Sequence, residues 1–266
     1  MPGVDLHAHL LPGVDDGPAT LEDALALARA TVTAGTVRVV ATPHVNGDRL
    51  IAPEAIGPAV AELNRALERE GIDLIVHAGA EVALSRLLDL SDDELDPLRL
   101  GDGPYLLLEC PFAVRAGDFE PLVRDAQARG HRVLLAHPER CPTFQRDPER
   151  LVRLVETGAL VQLTAGALRG AFGSRTRDFA HRLLRDGLVH VMASDAHDTV
   201  RRPPGLGDAL ERAERAVPGI GARKAWLTEE VPEAILAGEA IPGEPALAPA
   251  PRAEGRHRRL VSAQEP

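Results

Sequence analysis

Nine side chains able to bind a divalent cation, His7, His9, Asp16, His44, Glu81, Glu109, His137, Asp195 and His197, each stand at the end of a short apolar run or in the turn just after it. His7 and His9 are one residue apart, and on an extended strand that spacing turns both imidazoles to the same face, where they can hold one ion together. Asp195 and His197 repeat the spacing, although a bend there could split them between neighbouring ions. Imidazole and carboxylate suit Zn, Mn or Fe, and a carboxylate can bridge two ions, so the set has the chemistry of a hydrolytic metal cluster. Each piece alone is weak, since a lone His-x-His is as often two satisfied or exposed histidines. Glu109 is harder to dismiss because it closes the apolar run Tyr105-Leu106-Leu107-Leu108, and a buried carboxylate without a partner costs at least ~2 kcal/mol. A salt bridge is its competing explanation.

The motifs of covalent and phosphate-binding catalysis are missing. Cys110 to Arg115 and Cys141 to Arg146 each enclose four residues, one short of a thiolate phosphatase loop, and neither stretch has the glycines of a tight phosphate cradle. Both cysteines read as packing residues. There is no G-x-S-x-G elbow and no Gly-rich, Lys-containing phosphate loop.

Scattered donors need elements that carry them to one place. Val37-Arg38-Val39-Val40-Ala41 reads as a buried strand, and the pattern predicts further strands ending in His7 and over 72–78, 105–110, 132–136, 160–164 and 188–193. Helices are expected after Thr20, which can cap against Asp23, and over 53–70, near 91–98, over 118–129, 147–157 and 175–186, and near 207–216 and 222–237. Gly35, Gly71, Gly130, Gly158 and Gly187 close five of them. About seven strands alternating with helices predict an α/β fold, a closed or nearly closed parallel barrel whose strand C-termini converge on one mouth. An open doubly wound sheet would instead gather its ligands at one switch point.

The length of 266 residues and the 44% hydrophobic content suit one large domain, expected over 1–240. Residues 241–266, rich in Pro, Ala and Arg without an apolar face, are expected to be a disordered tail. The net charge of −10 argues against nucleic-acid binding. Two cysteines, no amino-terminal signal pattern and no apolar stretch near the ~20 residues of a membrane span predict a reduced, cytoplasmic protein without membrane insertion. His77, His131, His181, His190 and His257 lie away from the cluster and are expected in core or surface roles.

The strings DLHAHLLPGVDDGP, ATPHV, GAEV, LLLECP, AHPERC and HVMASDAHDTVRRPP resemble the polymerase-and-histidinol-phosphatase (PHP) superfamily, from about residue 1 to 238. PGVDDGP, HPER and SDAH followed by RRPP are most similar to its bacterial protein-tyrosine phosphatase branch, found with capsule and exopolysaccharide loci. The resemblance implies a distorted seven-stranded (β/α) barrel with three divalent ions, Mn first and Fe or Zn as alternatives. It implies that His7, His9, Glu81 and Asp195 hold one ion, that Glu81 bridges to a second completed by Glu109 and His137, and that Asp16, with Asp15 as its rival, joins His44 and His197 at a third. Arg140 and Arg202, or Arg201 in place of the latter, would clamp phosphate. Val45 and Cys141 stand where the family often has a second His and an aromatic, so both are expected at the substrate-facing mouth.

The function implied is phosphotyrosine hydrolysis by a metal-activated water, with a phosphotyrosine protein, a bacterial tyrosine kinase among the candidates, as partner. Histidinol phosphate or another small phosphoester is the alternative substrate. A nuclease or proofreading role fits poorly with the acidic charge, and a non-catalytic metal-binding regulator is the reading from another class.

Overall fold

The computed structural model describes residues 3–47, 51–112 and 119–247. Its strands are β1 (Gly3–Ala8), β2 (Thr36–Ala41), β3 (His44–Val45), β4 (Ile75–Ala78), β5 (Glu81–Ala83), β6 (Tyr105–Glu109), β7 (Arg132–Ala136), β8 (Leu160–Thr164) and β9 (Val191–Ala193). The α-helices are α1 (Leu21–Thr33), α2 (Pro53–Arg69), α3 (Asp92–Leu95), α4 (Glu120–Ala128), α5 (Pro142–Arg146), α6 (Glu149–Glu156), α7 (Ala165–Arg169), α8 (Ser174–Arg185), α9 (Gly207–Ala213) and α10 (Val231–Ala237). All strand pairings are parallel, in a three-stranded sheet of order β1-β2-β4 and a six-stranded sheet of order β3-β5-β6-β7-β8-β9.

The sheets are joined by shared chain passages. Between β2 and β3 lie Thr42 and Pro43, and Pro43 has no N–H with which to continue a ladder. Between β4 and β5 lie Gly79 and Ala80; a Cβ on Gly79 would come within 2.6 Å of Val40 Cγ1, so a side chain there would push the two passages apart. Beyond β9 the chain turns onto β1, where Asp195 N donates to His7 O and His9 N donates to Ala196 O, both at 2.8 Å. The far edges of the sheets therefore meet at His7–His9 and Asp195–His197. The result is a curved parallel α/β arrangement in which, among the described residues, nine short strands stand where about seven were expected and no single ladder runs the whole way round.

Local chemistry explains most boundaries. Thr20 caps α1 as expected: its Oγ1 accepts from Asp23 N at 3.2 Å while Asp23 Oδ2 accepts from Thr20 N at 3.2 Å. Helix α2 buries Ile56, Val60, Leu63 and Leu67 on one face. Its Asn64 bonds both backbone groups of Val76 in β4, at 2.8 and 3.0 Å, tying helix to strand. Strand β4 begins three residues later than expected because Ile72 N is still spent on Leu67 O at the end of α2. Likewise β9 starts late because Leu188 N closes α8 on Leu183 O. The helix expected over 222–237 is broken into a 3₁₀ turn, a π turn at Trp226–Glu230 and α10, with Pro232 lacking the donor that a continuous helix would use.

The chain just beyond 240 is docked on the fold. Trp226 Nε1 donates to Pro242 O at 2.9 Å, Arg223 Nε donates to Pro245 O at 2.8 Å, and Ile241 and Leu247 pack against the core. The remainder of the expected tail, 248–266, lies outside the described residues, as does His257. Among the described residues no helix is long and apolar enough to cross a membrane.

Candidate metal centre

Parallel strands deliver their C-terminal residues to one end, and all nine candidate ligands arrive there. His7 is the penultimate residue of β1, His44 starts β3, Glu81 starts β5, Glu109 ends β6, and His137 and Asp195 follow β7 and β9. His137 and Asp195 both adopt left-handed backbone, with φ of 34° and 53°. Such a conformation is unfavourable for a residue with a side chain and persists where the surroundings hold it.

Their outer hydrogen bonds decide which atoms face inward. Gln162 Oε1 accepts from His137 N at 3.2 Å, so it is an acceptor, and His7 Nδ1, 3.1 Å away, must carry the proton. His9 Nδ1 lies 2.6 Å from Asp15 Oδ2 and donates to it. The two Nε2 atoms left over face each other across 3.3 Å. Glu81 Oε2 is 3.3 and 3.5 Å from them, and Asp195 Oδ1 is 3.4 and 3.6 Å away. Two imidazole lone pairs and two carboxylate oxygens, all buried, thus converge on one point, which only a cation or an added proton can reconcile.

Further donors extend this nucleus. His137 Nε2 is 2.6 Å from Glu81 Oε1, and His44 Nδ1 is 3.0 Å from Glu81 Oε2 without hydrogen-bond alignment, leaving both of the latter atoms buried and unpartnered. Asp16 Oδ1 lies 3.4 Å from His44 Nε2 and 3.6 Å from His197 Nε2. His197 Nδ1 approaches Asp195 O at 3.0 Å, which fixes its Nε2 as the inward atom. Four overlapping groups result, each with donor atoms within 4.8 Å of one another: His9, Asp16, His44 and His197; His7, His9 and Asp195; His7, Glu81 and His137; and His44, Glu81 and Glu109. Glu81 belongs to two of them. Glu109 and His137 each group with Glu81, Glu109 from the His44 side and His137 from the His7 side. Between the adjacent aspartates, Asp16 faces the cluster while Asp15 stands behind His9, also accepting from His44 N and Gly17 N at 3.1 and 2.9 Å. A Cβ on Gly17 would lie 2.8 Å from His9 O, so glycine lets this loop fold onto β1.

Both arginines converge on the same oxygen. Arg140 NH1 donates to Asp195 Oδ2 at 2.9 Å, and Arg202 NH2 donates to it as well, while Arg202 NH1 reaches His197 Nε2 at 2.8 Å. Arg201 instead bonds through its backbone N to Asp198 Oδ1 at 2.5 Å.

The titration behaviour follows from burial and crowding. Burial opposes a charged Asp195, but His7, His137 and Arg202 overcome it and hold its carboxyl at about 2. His9, also disfavoured as a cation by burial, is pushed up to about 10 by Asp15 and Glu81. Glu109 rises to about 7 through burial and then through repulsion by Glu81. His197 falls to about 3, from burial and the charge of His9. Burial raises both thiols, and Cys141 Sγ donates to Pro111 O at 3.3 Å, so neither cysteine offers a ready thiolate.

Val45 and Cys141 do not face the mouth. They are 2% and 0% exposed, each packed in the core, because the side of the strand that β3 turns inward and the turn after His137 are covered by neighbouring elements. Residues outside the nine candidate ligands also matter: Gln162, Asp15 and Asp5, whose Oδ1 accepts from His7 N and Ser194 N at 3.2 and 3.1 Å. Gln162 and Asp5 were visible as polar residues within apolar strands, and Asp15 had been named as the rival of Asp16. The other histidines among the described residues lie outside the cluster, as with His131, which pairs with Asp92 at 3.2 Å, and His190 beside Trp226.

The model of the capsular polysaccharide synthesis family CpsB/CapC matches residues 3–234. The chain belongs to the CpsB/CapC family. The tyrosine-protein phosphatase YwqE of Bacillus subtilis (strain 168) is 35% identical to it over 243 residues, covering 91% of this chain and 94% of YwqE. The tyrosine-protein phosphatase CpsB of Streptococcus pneumoniae is 26% identical over 230 residues, covering 84% and 93%. A solved structure from work on YwqE and CpsB, described there as unique metal-dependent tyrosine phosphatases, superposes with a TM-score of 0.80 at 34% identity, covering 94% of this chain and all of that one. A phosphotriesterase homology protein from Escherichia coli shares the fold alone, at a TM-score of 0.58 and 13% identity. The chain thus spans nearly the whole length of these tyrosine phosphatases.

Proposed function

We propose that this CpsB/CapC member is a metal-dependent tyrosine-protein phosphatase that hydrolyses phosphotyrosine by attack of water, without a covalent enzyme intermediate. The observation that carries this reading is the pair of buried Nε2 atoms of His7 and His9, 3.3 Å apart with both Nδ1 atoms committed outward, between Glu81 and Asp195. The nine candidate side chains fit divalent ions of the first transition row, and we assign three, Mn first and Fe or Zn as alternatives. Bound ions supply an acidified water and neutralise charge on the phosphoryl oxygens.

The chain's own residues do the rest. His7, His9, Glu81 and Asp195 hold the inner position; Glu81 is shared with the position completed by His137 and Glu109; Asp16, His44 and His197 hold the outer one. Arg140 and Arg202, already aimed at one anionic oxygen, clamp the phosphoryl group and carry its charge. No cysteine is needed. A phenolate leaves more readily than an alkoxide, which favours phosphotyrosine in a site without an evident general acid.

We read the two sheets as the staves of a distorted seven-stranded barrel, with β2–β3 and β4–β5 each counted as one interrupted stave. The catalytic domain runs through residue 247 on this reading, because the contacts of Pro242 and Pro245 extend it past 240. Buried free thiols suit the cytoplasm, and the relatives' names as tyrosine-protein phosphatases, with the family's description as capsular polysaccharide synthesis, support a phosphotyrosine protein of capsule synthesis as partner, a bacterial tyrosine kinase among the candidates. The test is a panel of phosphotyrosine peptide, phosphoserine peptide and histidinol phosphate assayed with Mn-loaded and chelated protein. Turnover should require metal and be fastest on phosphotyrosine; a higher kcat/KM on histidinol phosphate would move the assignment to a metabolic phosphatase.

A further inference from the structure

The chain has seven aromatic side chains among Phe, Tyr and Trp. Tyr105, Phe119, Phe144, Phe179 and Trp226 are all buried in the core. The other two, Phe112 and Phe172, flank a single guanidinium: Arg140 Cζ is 4.6 Å from the centroid of Phe112 and 4.3 Å from that of Phe172. Phe112 also stacks on His137, with centroids 5.4 Å apart and planes 17° from parallel. Phe172 lines the same hollow as Asp195 and Arg202.

Their exposures differ. Phe172 is half-buried, whereas Phe112 is 43% exposed although it stands only two residues beyond the buried Cys110. Leaving a phenyl ring in water forgoes the stabilisation that burial gives the other rings. A ring kept at the rim of an anion site, beside the arginine that meets the anion, is placed to meet an apolar group attached to that anion. Phenylalanine offers no hydrogen bond, so the group it accepts is selected by shape and by its π face.

We propose that Phe112 is a specificity-determining residue that stacks on the phenyl ring of an aryl phosphate, and that Phe172 is a positioning residue holding Arg140 from its opposite side. This rests on the phosphatase reading above and adds a source of aryl selectivity beyond leaving-group chemistry, in the place where Val45 and Cys141 do not reach. An aryl ligand gains the ring contact and a short alkyl ligand does not, while both gain Arg140.

Phosphonates separate binding from leaving-group effects because they are not cleaved. Benzylphosphonate and ethylphosphonate are titrated by calorimetry into the Mn-loaded wild type, Phe112→Leu, Phe112→Ala and Phe172→Leu, with melting curves confirming the fold. The wild type should favour benzylphosphonate, and both Phe112 variants should lose roughly two- to tenfold of that preference, with the loss on benzylphosphonate exceeding any loss on ethylphosphonate. Phe172→Leu should weaken both ligands together, with the preference retained. An unchanged preference in Phe112→Ala, or an equal loss for both ligands, overturns the proposal. Should the wild type prefer benzylphosphonate yet fail to hydrolyse phosphotyrosine peptides, the functional reading fails while the ring contact stands. Hydrolysis of phosphotyrosine with no ring preference gives the converse.

Discussion

The inner and outer parts of the cluster are built differently. His7, His9, Glu81, His137 and Asp195 are fully buried on strand ends and held from behind by Gln162, Asp15 and Asp5. The outer part relies on Asp16, 44% exposed on a loop, whose carboxylate meets only His44 and His197 at 3.4 and 3.6 Å among the described residues. The contrast teaches that the fold presents the inner donors already oriented by hydrogen bonds behind them, whereas Asp16 has no such partner among the described residues.

The largest effect is expected at the inner carboxylate. Glu81→Ala should cost more than one ion and lower kcat/KM by about three decades or more, corresponding to ~4 kcal/mol of lost transition-state stabilisation. Glu109→Ala should cost chiefly one ion. Elemental analysis of the two folded variants decides the matter, and loss of a single ion from both would remove Glu81 from its bridging role. Replacing Arg140 or Arg202 by Ala should leave the metal content intact yet lower kcat/KM on every phosphoester by one to two decades, from ~1.5–3 kcal/mol of lost charge-assisted contact.

Two milder variants sharpen the inner–outer division. Gln162→Leu frees the His7 ring and should weaken binding of the inner ion about 10–100-fold, as removal of an orienting partner does. Asp16→Asn should weaken a different ion, with activity restored by excess Mn. If both variants release the same ion in a competition against a chelating dye, the division does not exist.

Chelated protein tests the protonic side of the same comparison. His9 is raised from its ordinary 6.5 to about 10, so the stability it contributes is fully present below pH 6.5 and is lost as pH rises through 10. The raised Cys110 and Cys141 thiols act in the same direction at the alkaline end. The urea midpoint of chelated protein should therefore fall between pH 7 and 9.5, while affinity for the ion should rise over that interval as His9 gives up its proton. A chelated protein that becomes more stable with rising pH would mean that His9 is neutral without the ion. The smallest effect is expected from deleting 248–266, with Tm and small-substrate turnover unchanged. Deleting 241–266 should lower Tm by several degrees, as it strips the partners of Trp226 and Arg223 for about 1 kcal/mol per hydrogen bond.

The parallel strands were legible because each is an apolar run, five of the seven followed by a helix that a glycine closes, a pattern set within short stretches such as Val133 to Gly158. The short strands β3 and β5 were not, because two or three residues carry no period; they exist only because β5 pairs with β6 on one side and β3 on the other. Gln162 and Asp5 were in plain view as polar residues in buried runs, but nothing local says which partner satisfies them. Val45 and Cys141 were misplaced at the mouth for the same reason: burial belongs to the assembled neighbours and not to the motif.

By itself, the amino-acid sequence determined the donor inventory, the α/β rhythm and the absence of a thiolate loop, since residue type and local spacing decide all three. Only the tertiary structure decided that Asp16 rather than Asp15 faces the cluster, that Glu109 approaches from the His44 side, and that Arg140 and Arg202 aim at one oxygen, with Phe112 and Phe172 beside Arg140. Those outcomes depend on where different strand-end loops come to rest, as those of Arg140 and Asp195 do 55 residues apart, and short-range periodicity carries no information about such contacts.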